Sequence, residues 1–436
     1  MKIRSTTTGN IKLSTMSQYA TQRTMRALMY RQVHRWIITL GRRLPAAVFF
    51  SFLVKYIIPH VTQTLLLLHL HRTKERPKLY HQPRRRLQQL VASCPSLETY
   101  HPQWYTFNGH LHTIFVAFQD FWPFSAQPYK RELVEFPDGG ISAIDWALPT
   151  NSKSLIDPTI PTMLILPGFT GTSQSVYIRS LVQIMLSNGW QLGILLARGS
   201  DNLALKTPQI SSLGYTNDLC HTIAFISKKY HFDENPHRIL VGCGFSMGAN
   251  LLTKYLGEQK NDTPLTGAIS VGNPFDLLHC CDKMHLDPFN RLVYSRILAK
   301  NFKDVMQKCN AYKLLATIQN VDICRLKAST TLMQMDEYLT RHAFGFETVH
   351  DYYRDSSSAR LLKHIRIPLF CISARDDPIC ASEAIPYAEC LANPNIILCT
   401  TKSGGHLGFY EVKQPKSDGR WVNRVILEFS QSLAVN

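Results

Sequence analysis

The sequence is short of acid where it is richest in base. Residues 1–90 hold 17 Lys and Arg against one carboxylate, Glu75, while residues 91–436 hold 31 basic side chains against 30 acidic ones. The formal net charge of +17 therefore belongs to one end of the chain. A nucleic-acid-binding domain carries its basic residues across a folded face. The skew excludes that class for the main body, and no nucleic-acid partner is expected. Charged residues are scarce overall, at 18% against 45% apolar, which excludes a disordered chain and demands a sizeable core. Among eleven cysteines there is no CxxC pair and no Cys/His ligand spacing, and the adjacent Cys280 and Cys281 suit neither an ordinary disulfide nor a zinc site. They read as reduced core thiols of a reducing compartment. P-loop lysine, dinucleotide-type glycine spacing, internal repeats and low-complexity tracts are missing too, so neither cofactor nor metal is expected.

What is present begins with a basic segment, residues 1–43, free of acid and rich in Ser and Thr. A mostly apolar run follows over 44–70, interrupted by Lys55, Pro59 and the polar patch Thr62-Gln63-Thr64. A spanning helix needs about 20 apolar residues, so the run is a candidate single-pass membrane anchor, with the endoplasmic reticulum as its expected site. Lys55 opposes insertion by about 2.5–3.5 kcal/mol. A mitochondrial transit peptide and a core-capping helix are the competing readings. Residues 1–90 form the N-terminal segment and 91–436 the main domain.

From about residue 130, short apolar runs alternate with helical periodicity. Strands are predicted at 131–136 and 141–146 around the turn Asp138-Gly139-Gly140, then at 162–166, 191–196, 238–243, 266–271, 368–373 and 395–400. Helices are predicted at 176–187, 216–230 capped by Thr216 or Asn217, 249–256 and 420–433. Such alternation means an α/β fold with a mainly parallel sheet and helices on both faces. The order breaks over about 274–366, whose helical periodicity marks an insertion placed to act as a lid.

Chemistry concentrates at strand ends. Gly244-Phe245-Ser246-Met247-Gly248 matches G-x-S-x-G between an apolar strand and a helix, a tight turn that presents Ser246 beside a helix N-terminus. Its base is expected later in the chain, and Gly404-Gly405-His406 follows a predicted strand. The acid lies between them, in Ala374-Arg375-Asp376-Asp377-Pro378-Ile379. Asp377, directly before proline, is preferred, with Asp376 as the alternative or as a cap. Oxyanion donors are expected from the Met247 N–H and from a backbone N–H near Phe169, in the loop Pro167-Gly168-Phe169-Thr170-Gly171. Cys243 lies on the strand and reads as a core thiol. His110 and His112 lack metal spacing with any carboxylate and read as structural, and Arg84-Arg85-Arg86 reads as a solvated or lipid-facing patch.

These residues and their surroundings resemble the AB hydrolase 4 family of α/β-hydrolases. The matching stretches are FNGHLHTIF (107–115), LPGFTGTSQSVYIR (166–179), GFSMGANLLTKYLGE (244–258), NPFDL (273–277), ARDDPI (374–379) and SGGHLGFYE (403–411). The resemblance implies an α/β-hydrolase fold, a Ser246–Asp377–His406 triad and a serine carboxylester hydrolase acting on lipid esters at a membrane surface. It leaves acyl transfer to an alcohol as a variant, and a non-catalytic tethered scaffold as the alternative of another class. Leu196-Ala197-Arg198-Gly199 departs from the family's Asn-x-Arg-Gly, a change expected to bear on substrate shape.

Overall fold

The computed structural model describes residues 74–119, 127–149, 156–235, 237–412 and 419–435. The candidate anchor at 44–70 lies outside the described residues. Among those described, no helix is long and apolar enough to cross a membrane.

Among the described residues, nine strands form one sheet. They are β1 (Lys78–Tyr80), β2 (Lys130–Glu135), β3 (Ile141–Ala147), β4 (Thr162–Leu166), β5 (Gln191–Leu195), β6 (Leu240–Phe245), β7 (Gly267–Val271), β8 (Leu369–Ala374) and β9 (Ile396–Thr401), in the spatial order β1-β9-β8-β7-β6-β4-β5-β3-β2. From β5 to β9 every pairing is parallel. The β2–β3 hairpin adds to one edge antiparallel, and β1 closes the other edge antiparallel to β9. This is the α/β-hydrolase architecture.

The central strands are buried end to end because both faces are covered. In β4, Met163 and Ile165 face one core while Leu164 and Leu166 face the other, as the two-residue period of a strand requires. The first core is covered by α1 (Arg85–Ala92), then, past α2 (Gly109–Gln119), by α3 (Val176–Ser187) and by the C-terminal helix Trp421–Val435. The second is covered by α4 (Asn217–Lys229) and α5 (Met247–Gln259). Thr216 does occupy the N-cap of α4, but its hydroxyl makes no capping bond and donates instead to Glu258. Within the basic stretch, both β1 and α1 belong to this fold, and Arg84, Arg85 and Arg86 are exposed at its surface.

Between β7 and β8 the chain leaves the sheet for a run of helical segments. It includes α6 (Leu277–Leu286), α7 (Arg296–Lys308) and α8 (Val349–Ser356), with π-helical turns at Arg291–Ser295 and Asp336–Thr340. Much of the run is built on its own small core, centred on Phe302, Met306, Leu326 and Leu339.

Candidate active site

Strand β6 delivers Ser246 into a left-handed backbone conformation, φ 52°, directly before α5. A side chain at Gly244 would meet Gly248 O at 2.4 Å, and one at Gly248 would meet Leu166 O at 2.2 Å. Only glycine lets β6, the turn and α5 pack this closely, so the strain at Ser246 is held by surrounding structure.

The ends of β8 and β9 bring the partners. Ser246 Oγ lies 2.8 Å from His406 Nε2, and His406 Nδ1 lies 2.9 Å from Asp377 Oδ2. With Nδ1 protonated toward the carboxylate, Nε2 is left to accept the serine proton. Asp377 is buried, and its Oδ1 accepts the N–H groups of Ile379 (2.7 Å) and Cys380 (2.9 Å). These bonds fix the carboxylate opposite the imidazole.

Asp376 faces elsewhere. Its Oδ1 accepts the Gly405 N–H at 2.9 Å, so it pins the loop that carries His406. Burial raises its pKa from the usual 3.8 to about 6. The other clamp is Thr113, whose Oγ1 accepts the His406 N–H at 2.9 Å and donates to Gly109 O at 2.7 Å. A Cβ on Gly405 would fall 2.4 Å from Gly109 O, so the loop and α2 approach at backbone distance. Sequence reasoning missed both clamps. Thr113 lay within a conspicuous motif, but nothing local to it pointed at residue 406.

Of the expected oxyanion donors, Met247 N–H is the first in α5, where no intrahelical acceptor exists. Phe169 lies in the loop after β4, beside Gly168, whose α-carbon faces the Ser246 side chain and whose N–H donates to Tyr177 Oη at 2.9 Å. The Phe169 ring stacks on Phe302 of α7, centroids 5.4 Å apart. Ser246, Met247 and Phe169 border one cavity, about 760 Å³ when the space open to solvent is included, walled largely by the insertion through Leu277, Met284, Leu298, Phe302 and Met335. It is mostly apolar. Its one charged lining residue is Asp336, buried with Tyr353 Oη donating to it at 2.8 Å and no cationic partner among the described residues. Burial lifts its pKa from 3.8 to about 6.

The other sequence candidates sit apart from this chemistry. Cys243 is buried inside β6. His112 is buried with both ring nitrogens unpartnered and its pKa pulled down to about 3 by burial. His110 Nδ1 bonds Tyr294 Oη at 3.0 Å. Arg198 is buried in ion pairs with Asp138 and Asp218, tying the β2–β3 turn to α4. Asp377, Cys380 and His406 bring three ligand atoms within 4.8 Å of one another, but in this arrangement the imidazole and carboxylate are bonded to each other.

No family model matches the chain. Curated relatives do. Embryogenesis-associated protein EMB8 of Picea glauca is 31% identical over 334 residues, 76% of this chain and 71% of the relative. Human phospholipase ABHD3 is 30% identical over 79% of this chain and 81% of its own. A monoacylglycerol lipase of Saccharomyces cerevisiae is 29% identical over 74% and 78%.

Proposed function

The chain belongs to the AB hydrolase 4 family of α/β-hydrolases, and from that premise we propose that it is a serine hydrolase of lipid esters with Ser246, His406 and Asp377 as its triad. The observation that carries the assignment is the unbroken relay from Ser246 Oγ through His406 to Asp377 at 2.8 and 2.9 Å, set on a glycine-flanked elbow. His406 Nε2 takes the hydroxyl proton as Ser246 Oγ bonds to the ester carbonyl carbon. The carbonyl oxygen becomes an oxyanion accepting from the Met247 and Phe169 N–H groups. The imidazolium, oriented and stabilised by Asp377, then returns its proton to the departing alcohol. Water enters by the same route in reverse and releases the fatty acid, regenerating Ser246.

An apolar cavity beside the nucleophile favours an acyl chain. Monoacylglycerols and phospholipids are the substrate classes the relatives' names bring forward. Residues 1–43 and 44–70 favour attachment to a membrane near the N-terminus, which alkaline carbonate extraction of the full chain tests: release into the supernatant overturns it. The triad is tested with Ser246→Ala, assayed on p-nitrophenyl butyrate and labelled with a fluorophosphonate. The variant is expected to lose label and at least about 10⁴-fold in kcat. Labelling that survives removes Ser246 as nucleophile.

A further inference from the structure

Ten large apolar side chains stand exposed among the described residues, and eight of them fall into two stretches. Leu286 (73% exposed), Phe289 (46%), Leu292 (57%) and Ile297 (47%) lie on the insertion between α6 and the start of α7. Trp104, Tyr105, Phe107 and Phe115 lie on α2 and the segment leading into it. The stretches touch. His110 of α2 meets the Phe289 ring edge-on at 4.8 Å and stacks on Tyr294 at 5.8 Å. Tyr105 meets Trp104 at 5.7 Å and Phe115 at 5.3 Å. The result is one apolar face rather than scattered exposure.

Its net charge is positive, two arginines against one aspartate. Arg291 and Arg296 are exposed between the apolar side chains, and neither pairs with a carboxylate among the described residues. Residues 101–119 contain no acid and no lysine or arginine. Asp287 is the acid on the insertion side, and its carboxylate accepts the Asn290 N–H at 2.8 Å. Lys300 further along is already paired with Asp304.

The face also lies over the reaction. Met284 and Leu298 line the cavity that holds Ser246, while their near neighbours Leu286 and Ile297 point out. Gly109 and Thr113 of α2 clamp the His406 loop, while Phe107 and Phe115 stand on its outer side.

We propose that residues 104–115 and 286–297 form a docking face for a bilayer carrying anionic lipid, and that substrate passes from that surface between α6 and α7 to Ser246. Apolar side chains interleaved with unpaired arginines are the chemistry of an interfacial surface: the apolar groups enter the headgroup boundary while the guanidinium groups meet lipid phosphates. The inference rests on the lipid-ester reading but is separable from it, since docking needs no chemistry.

Two measurements on the full chain test it. Hydrogen exchange is followed in the Ser246→Ala protein with phosphatidylcholine vesicles, either alone or carrying about one part in three phosphatidylserine. Peptides covering 286–300 and 104–115 are expected to gain protection on the anionic vesicles. No gain there overturns the face, whatever the N-terminal segment does, and equal gain on neutral vesicles overturns the role of the arginines. The second is hydrolysis by Leu292→Glu/Ile297→Glu. It is expected to fall at least about tenfold on monoacylglycerol embedded in vesicles while staying within about twofold on p-nitrophenyl butyrate. Equal loss on both substrates, or none on either, overturns the route. A wild-type protein inert toward the soluble ester sinks the hydrolase reading instead, and leaves the exchange result standing.

Discussion

Two neighbouring aspartates follow β8, and their different hydrogen-bond partners separate their duties. Asp377 holds the imidazole and Asp376 holds the backbone of the loop carrying it. Asp377→Asn keeps the shape but no longer favours the Nδ1–H tautomer, so kcat on p-nitrophenyl butyrate should fall by about 10⁴ with an unchanged Tm. Asp376→Asn retains an acceptor for Gly405 N–H and should stay within about tenfold of wild type. Asp376→Ala removes the acceptor and should fall below it. Steady-state kinetics of the three variants check the order, and a larger loss in Asp376→Asn than in Asp377→Asn reverses the assignment. The sequence favoured Asp377 by its place before proline. For Asp376 it offered a capping role but no partner, because Gly405 is 29 residues away and bonds through its backbone.

At the scale of elements, strands were legible wherever both faces are buried. The apolar run 162–166 and the helical spacing 176–187 are the observed β4 and α3 to the residue. Such segments announce themselves because burial fixes their composition without regard to partners. Strand β1 was missed: it has three residues, sits at an edge and lies inside a basic stretch. The insertion showed helical periodicity but no order, since its short helices pack on one another and on the cavity rather than on a sheet. That independence makes a prediction. Phe302→Ala removes a ring from the small lid core and from its stack on Phe169. The cost should be about 3 kcal/mol, felt within the insertion as faster hydrogen exchange over 296–308 and a raised KM, with sheet amides unchanged.

For the whole molecule, stability should bear the mark of a carboxyl buried without a counter-charge. The pKa of Asp336 in the fold is about 6, above the 3.8 of an exposed carboxylate. The folded state therefore holds the proton more tightly. Protonation favours folding fully below 3.8, and that contribution fades as pH rises through 6. Asp336→Asn, with no proton to lose, should be more stable than wild type at pH 8 by on the order of 3 kcal/mol, with the gap closing toward pH 4. Denaturant melts across that range read it directly. A gap independent of pH removes the buried charge as its cause.

One small pairing has a mechanical meaning. Because β1 runs antiparallel to β9, its first residue, Lys78, lies opposite Thr400, at the end of β9 that leads into the His406 loop. Just upstream, the Glu75 carboxylate accepts the Lys402 N–H. The first described strand therefore starts at the sheet edge where Ser246, His406 and Asp377 meet. Tension on the incoming chain is borne first by Glu75, whose main chain pairs with Tyr100, and then by the three-residue ladder beside β9, the strand that leads into the His406 loop. These pairings moor the start of the described fold to the loop that holds His406.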